Sequence, residues 1–302
     1  MSDTGGTAAM AQHLPSAQAR TAPTTGPGDA SCWPARLSLE FERRGTRTVL
    51  AHARHLGPLG VQKMLYPEGE QVCHAIVLHP PGGVAAGDQL AVNVSLAAGS
   101  AVFVTTPGAA KWYRSGGSSA TSATRLVVAE GATLEYLPRE AIVFNGAMVC
   151  SELDVDLAVG ARAVGCDLWC LGRTSSGERF TRGQFELTTR LRLGGRLRWE
   201  ERGSFDADAS LLRAAAGLAD ETVFGTLWAA GCDAPRELVD ECRRIPVGGA
   251  GRGALTQLPD VLLARYLGRS TEQAFAWFTG LWSTLRPAYA GRVAVQPRIW
   301  TV

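Results

Sequence analysis

The sequence predicts a mainly β fold, in which short strands stack in layered, solenoid-like sheets, with a small C-terminal α/β part carrying two helices. Three observations predict it. Apolar residues recur with a period of two from residue 37 to about residue 205. Turn-forming residues interrupt this pattern at short, fairly even intervals. Glycine is frequent, at 35 residues, and aromatic residues make up only 7% of the chain, which suits strands joined by tight turns.

The predicted strands begin at residues 37–41 and 90–96, where apolar and polar side chains alternate. The same alternation predicts strands at 101–105, 124–128, 133–137, 153–159, 163–171, 185–193 and 196–201. Pairs that contain glycine, a residue that turns accept readily, separate several of these segments: Ala98-Gly99, Glu130-Gly131 and Gly194-Gly195. Stacked short strands that share one core account for this regular spacing.

The segment beyond residue 210 has a different pattern, with helices predicted at 235–244 and 271–285 around a strand at 261–267. Ser270 is placed to cap the second helix. An apolar stripe with helical spacing follows it, formed by Phe275, Phe278, Leu281, Trp282 and Leu285. Such stripes usually pack into a core. We therefore predict one domain over 35–302, with a β body at 35–209 and an α/β part at 210–302.

The N-terminal residues 1–34 are rich in Ala, Thr, Gly, Ser and Pro and have no apolar core of the signal-peptide kind. They are predicted to form a disordered tail. Apolar runs elsewhere fall short of the roughly 20 residues of a membrane-spanning helix. Lysine and arginine number 30 against 28 acidic residues, so the charge indicates neither a nucleic acid nor a membrane as partner.

Seven cysteines are scattered along the chain without close Cys-x-x-Cys spacing. An odd, scattered set does not indicate a disulfide framework and favours a reducing, cytoplasmic location. Cys73 and His74 are neighbours on a predicted strand, so their side chains point to opposite faces and cannot readily share a metal ion. His79 precedes Pro80-Pro81-Gly82-Gly83, in which the prolines fix φ and the glycines permit a tight turn. A structural role is therefore predicted for His79.

Several motifs closely resemble the urease accessory protein UreD (UreH) family. In chain order they are His55-Leu-Gly-Pro-Leu-Gly-Val-Gln-Lys63, Leu65-Tyr-Pro-Glu68, Cys73-His-Ala-Ile-Val-Leu-His-Pro-Pro-Gly-Gly83, Ala86-Gly-Asp88, Thr105-Thr-Pro-Gly-Ala-Ala-Lys-Trp-Tyr-Arg-Ser115, Leu134-Glu-Tyr-Leu-Pro-Arg-Glu-Ala-Ile142, Cys170-Leu-Gly-Arg173, Gly177-Glu178 and Pro297-Arg-Ile-Trp300. The motifs span the chain from about residue 37 to its C-terminus, and only the N-terminal tail falls outside them.

This resemblance implies a non-enzymatic accessory protein that assists nickel insertion into urease. It implies binding to the urease apoprotein and, through the accessory protein UreF, to the nickel-carrying GTPase UreG. No tightly bound cofactor is implied, and Ni²⁺ is expected only in transit. Gln89 and Ala110 depart from residues that are common in the family.

Two acids share the parity of inward-facing apolar residues and are candidates for a nickel path. Asp88 is in phase with Leu90, and Glu201 is in phase with Leu197 and Trp199. Asp167 and Glu178 are further candidates for the same lining. Because a charge in a dry core is costly, inward acids must be paired, hydrated or close to a cation. A few oxygen ligands would suit a divalent ion that must leave again.

Three alternatives remain open at this point. Each acid could sit at a strand end, solvated or paired with an arginine. The protein could be a β-solenoid carbohydrate-active enzyme that uses two carboxylates as acid and base. It could also be a purely structural adaptor that never binds metal.

The glycine-rich run 248–253 is predicted to be a flexible loop and not a phosphate-binding loop, since no Lys-Ser or Lys-Thr follows it.

Overall fold

The computed structural model describes residues 33–232 and 234–301. The predicted disordered tail lies outside this part of the chain, apart from its last two residues. Within the described residues there are seventeen strands: β1 Pro34–Arg44, β2 Arg47–Leu56, β3 Gly60–Val61, β4 Val72–Leu78, β5 Gln89–Leu96, β6 Ala101–Thr105, β7 Ala110–Trp112, β8 Ala120–Val128, β9 Thr133–Tyr136, β10 Ala141–Val143, β11 Met148–Leu157, β12 Arg162–Leu171, β13 Gln184–Leu193, β14 Arg196–Asp206, β15 Val223–Ala230, β16 Arg252–Leu258 and β17 Val261–Gly268. The two α-helices are α1 Arg236–Arg244 and α2 Thr271–Ala290.

The strands form two sheets. The seven-stranded sheet has the order β14-β13-β11-β8-β5-β1-β2, and all its internal pairings are parallel except at the two edge strands, β2 and β14. The ten-stranded sheet runs β16-β17-β15-β12-β9-β6-β4-β3, with β10 and β7 attached beside β12. In that sheet β4, β6, β9 and β12 are parallel, and β15, β17 and β16 continue it antiparallel.

The chain winds between the two sheets as a solenoid. It passes from β4 to β5, from β6 to β8, from β9 to β11 and from β12 to β13, which makes four turns. The predicted stack of short strands is therefore confirmed. Parallel pairing aligns equivalent inward positions in rows, and one such row is entirely apolar: Leu39, Val94, Leu126, Val155, Leu191 and Trp199. Each side chain of this row that leaves water contributes about 2 kcal/mol.

Helix α2 packs against the outer face of the ten-stranded sheet, where it contacts β12, β15 and β17. Its predicted cap is present, because the Ser270 hydroxyl accepts a hydrogen bond from the Gln273 N–H at 3.2 Å. The helix extends to Ala290, five residues beyond the predicted end. All five residues of the apolar stripe are buried, so the stripe is core. Among the described residues, no helix combines the length and hydropathy that crossing a membrane requires.

A buried ionic network fixes α2 to the sheet. The guanidinium of Arg286 has no solvent exposure and donates to two carboxylates. Its Nε and Nη2 lie 2.9 Å from Glu135 on β9, and its Nη1 and Nη2 lie 2.5 and 2.8 Å from Glu68. One cation thus joins the helix to β9 and to the segment that precedes β4.

Neighbouring donors complete this network. The Trp282 indole and the Tyr289 hydroxyl both donate to Glu135 Oε1, at 2.6 and 2.5 Å. His74 Nε2 lies 2.7 Å from Glu68 Oε1. Burial opposes ionisation of Glu68, but the hydrogen bonds from His74 and Arg286 outweigh it and lower the pKa of this carboxyl. Both acids therefore share Arg286 as a buried cationic partner, and its removal would leave their charges poorly compensated.

Replacing Arg286 by methionine is expected to reduce the free energy of unfolding by about 3–5 kcal/mol, because two buried carboxylates lose their cation. Urea denaturation of the full chain measures this loss. The matched control is Arg292→Met in the same region, since Arg292 is half-buried and, within the described residues, its guanidinium donates to the neutral Gln71 side chain at 2.8 Å. The control should cost less than about 1 kcal/mol. Equal losses in the two variants would contradict a special role for the network.

Candidate functional site

A cavity of about 330 Å³ lies within the solenoid body. Its walls are largely apolar and include Val84, Leu90, Val104, Trp112, Trp169 and Leu187. Polar side chains interrupt these walls at a few places, among them Ser122, Thr124, Thr189 and Asp167. Because the interior of a stacked-strand fold is normally filled by side chains, an apolar cavity with a few polar groups on its wall is a candidate site.

Asp167 lies on the wall of this cavity, on β12. Its Oδ2 is inaccessible to solvent and has no hydrogen-bond partner within the described part of the chain. Burial raises the pKa of Asp167 to about 7, and the negative charge of Glu201 adds to the shift. The backbone N–H of Thr226 and the indole of Trp169 offset the rise in pKa only in part. The carboxyl is thus held beside a second acid, and the positive charge of Arg265 also lowers its pKa only in part.

Glu201 reaches the same region from β14, in the other sheet. Its Oε2 accepts a hydrogen bond from the Thr226 hydroxyl at 3.2 Å, and its Oε1 lies 3.3 Å from the guanidinium of Arg265. Thr226 is the direct cross-strand neighbour of both Asp167 and Arg265. The structure therefore brings two of the four predicted acids together, across 34 residues of sequence and from opposite sheets.

The inward position of Glu201 agrees with its parity with Trp199, which is buried. Leu197 has the same parity but is 51% exposed. The register of β13 and β14 shifts between Leu191 and Arg192, and this bulge turns the start of β14 outward. The alternation of side chains in β14 therefore holds only beyond the bulge.

Hydroxyl groups lie beside the two acids. Thr124 and Thr189 flank Leu153 in one row of the seven-stranded sheet, and the row continues to Glu201. The Thr189 hydroxyl is buried and has no partner among residues 33–232 and 234–301. Burial raises the pKa of Tyr136, a further lining residue, to about 12. These residues were not predicted from the sequence, although hydroxyl groups at inward-facing positions of the strands were a usable signal.

Asp88 lies in a smaller pocket of about 160 Å³, together with His79, Trp33 and Tyr113. Three residues, His79, Gly83 and Leu90, line both this pocket and the larger cavity. The two spaces therefore adjoin. Asp88 stands in a turn before β5, where its Oδ2 accepts a hydrogen bond from the Ala85 N–H at 2.8 Å. Burial lowers the pKa of His79, and the charge of Asp88 partly opposes that shift.

Glu178 lies elsewhere, in a surface depression beside Arg179 and Asp220. Its Oε2 is 2.7 Å from Arg173, and its Oε1 accepts from the Asn145 N–H at 3.0 Å. The hydrogen bond from Arg173 lowers the pKa of this carboxyl despite partial burial. Glu178 thus has the arginine-paired geometry that was the structural alternative for each acid.

The cysteine and histidine pair at the start of β4 does not converge on one point. His74 stacks on Phe103, with ring centroids 4.7 Å apart, and contacts Glu68. Cys73 belongs to the core between the sheets. Within the described residues, no group of three or more His, Cys, Asp or Glu side chains is arranged to hold a metal ion.

The fold and the site define a class of protein: a parallel β-solenoid flanked by helices, with one acid, Asp167, on the wall of a cavity and a second, Glu201, beside it. Comparison with known proteins specifies it further. The family model described as UreD urease accessory protein matches residues 34–301. The chain is 51% identical to the urease accessory protein UreD of Dechloromonas aromatica (strain RCB), over 92% of this chain and 98% of that protein. It is 49% identical to the protein of the same name from Azoarcus sp. (strain BH72), over 89% and 94%.

The chain therefore belongs to the UreD family of urease accessory proteins, and its role lies in urease maturation.

Replacing Asp167 by asparagine is expected to stabilise the folded protein at pH 8 by about 2–4 kcal/mol, since each pKa unit is worth about 1.4 kcal/mol. The folded pKa of about 7 lies above the ordinary value of 3.8. Between these values the folded state keeps a proton that the unfolded state has lost, so the wild-type protein loses stability as the pH rises. Below about pH 4 both states are protonated and the variant should gain little.

Urea denaturation at pH 4, 6 and 8 measures this dependence. Asp206→Asn, at an exposed position on β14, is the matched control and should show no comparable gain at pH 8. A loss of stability at pH 8 in Asp167→Asn would contradict the assignment of Asp167 as a buried acid without sufficient stabilisation.

Proposed function

We propose that this protein is a non-catalytic scaffold of the bacterial cytoplasm that joins the urease apoprotein to UreF and UreG and lets Ni²⁺ pass through its internal cavity. One observation carries the proposal of a passage. On the wall of a 330 Å³ cavity and beside Glu201, Asp167 holds a solvent-inaccessible carboxylate oxygen that has no hydrogen-bond partner among the described residues. A fold selected only for stability gains nothing from such an arrangement.

The chemistry of the pair suits a divalent ion in transit. Two neighbouring carboxylates repel one another in a medium of low dielectric constant, and a cation between them relieves the repulsion. Carboxylate oxygens bind Ni²⁺ less tightly than a full set of imidazole and thiolate ligands. The cavity is large enough to hold several water molecules, so the ion can keep part of its hydration shell. Binding and release then both remain feasible.

The arrangement of the two pockets supports a route to the surface. The small pocket that contains Asp88 shares His79, Gly83 and Leu90 with the large cavity. An ion that enters beside Asp88 therefore needs to pass only this shared wall to reach the cavity of Asp167. Glu178 lies in a separate surface depression, and we do not include it in the route.

Exposed apolar side chains support a scaffold that other proteins cover. Trp33 is 57% exposed and Tyr113 is 36% exposed, and both line the Asp88 pocket. Leu56, at the end of β2, is also exposed. Exposed apolar groups such as Trp33 and Tyr113, which lie at the opening of this pocket, favour association with another protein surface. We propose that a maturation partner covers this opening, so that the ion is transferred without release into bulk solvent.

The carbohydrate-active alternative has less support. It requires two carboxylates that face each other across an open groove with space for a sugar ring and a water molecule. Glu201 instead is engaged by Arg265 and Thr226, and Asp167 Oδ2 is closed to solvent.

Buried thiols such as Cys73, Cys166 and Cys242 suit the reducing conditions of the cytoplasm.

The test is the double variant Asp167→Asn with Glu201→Gln, co-expressed with the urease subunits, UreF and UreG. We expect complexes to form normally, while the nickel content and activity of the urease fall roughly tenfold or more, because the passage loses its anionic oxygens. Pull-down, metal analysis and a urease assay give the three measurements.

The matched control is Asp154→Asn with Glu200→Gln. These acids lie on the outer face of the seven-stranded sheet, which also contains Glu201, and both pair with Arg190. Urease activation should be unchanged in this control. Full activation by the inner double variant would contradict the passage and leave a purely structural adaptor. Loss of complex formation in that variant would instead assign the acids to assembly.

A further inference from the structure

The loop that follows β4 holds the imidazole of His79 at the junction of the two pockets. The His79 carbonyl accepts a hydrogen bond from the Gly82 N–H at 2.8 Å, which closes a tight turn. Gly83 packs so closely against the Tyr113 ring that a Cβ at this position would lie 2.4 Å from it. Two prolines precede these glycines and restrict the backbone further. The imidazole is therefore carried by a well-defined loop and lines both spaces.

The surroundings of this imidazole favour a ligand role. Its side chain makes no hydrogen bond to any residue in the described ranges, and its backbone carbonyl alone satisfies the turn. The charged side chain that faces it in the small pocket is Asp88; the other lining residues there include Trp33, Pro58 and Tyr113. Asp88 uses Oδ2 to accept a hydrogen bond from the Ala85 N–H, and within the described part of the chain its Oδ1 accepts none. An imidazole nitrogen and a carboxylate oxygen are both ligands that nickel accepts.

We propose that His79 and Asp88 together form a nickel-binding station at the mouth of the internal cavity. This inference rests on the proposed passage and extends it to a specific residue, His79, that the sequence analysis assigned to loop structure. Two protein ligands with water in the remaining positions hold an ion weakly enough for exchange. The station would concentrate Ni²⁺ at the shared wall, from which the oxygen ligands of Asp167 and Glu201 can accept it.

The test measures Ni²⁺ binding to the full chain, purified without a polyhistidine tag, by equilibrium dialysis. His79→Gln and Asp88→Asn should each weaken binding about tenfold, because each removes one of two protein ligands. The matched control is His52→Gln, which replaces an exposed histidine on β2 and should bind as the wild-type protein does. Circular dichroism verifies that each variant is folded.

A second variant tests the station by a gain of signal. His79→Cys supplies a thiolate at the same position, and we expect Ni²⁺ to produce a thiolate charge-transfer absorption that the wild-type protein lacks. X-ray absorption of the nickel-loaded protein should show imidazole scattering in the wild type and in His52→Gln, and a reduced contribution in His79→Gln. Such spectra do not depend on urease activation.

Two results would overturn the station: binding by His79→Gln that equals that of His52→Gln, and a His79→Cys variant without the charge-transfer absorption. Either result leaves the passage intact if the Asp167 and Glu201 double variant still fails to activate urease. Conversely, the station stands without the passage if Ni²⁺ binding depends on His79 and Asp88 while that double variant activates urease fully. The failures of the two proposals are therefore distinguishable.

Discussion

The parallel pairing of successive solenoid turns is the constraint on which the rest of the structure depends. Each turn places its inward residues directly beside those of the next, so one position determines the character of a whole row. The row that contains Leu126 and Val155 is apolar throughout and forms the core. The neighbouring row contains Thr124, Thr189 and Glu201. The same geometry that builds a dry core thus also lines up polar groups along a cavity.

The buried acids of the protein differ in how completely their carboxylate oxygens are hydrogen-bonded. Glu135 receives hydrogen bonds from a tryptophan, a tyrosine and Arg286, and shares that arginine with Glu68. Every carboxylate oxygen of Glu135 and Glu68 accepts a hydrogen bond from Arg286, and these bonds hold the helix to the sheet. Asp167 has an oxygen without a partner in the described chain and a second acid close by. Such an incomplete arrangement costs stability, which suits a site that a passing cation completes.

The sequence predicted the solenoid because alternation is visible in strands with one face toward solvent, such as β5 and β13, although β2 was not predicted. It gave no sign of β4 or β15, since strands buried on both faces read as continuous apolar runs without alternation. Glu201 was predicted to point inward from its parity with Trp199. Its meeting with Asp167 could not be predicted, because the pairing joins two sheets and depends on the bulge in β13 and β14. His79 was assigned a structural role because the prolines and glycines that follow it are visible in the sequence. The cavity beside its side chain is visible only in the structure.

Glu200 and Glu201 are consecutive residues of β14 with opposite environments: one pairs with Arg190 on the outer face, and the other points into the body of the protein. A shift of one residue along an edge strand exchanges its two faces. The bulge opposite Leu191 therefore selects which of two identical side chains enters the interior. Inserting or deleting one residue in the β13–β14 hairpin would leave Glu200 and Glu201 in the sequence but exchange the faces to which they point. The length of that hairpin is therefore part of the site.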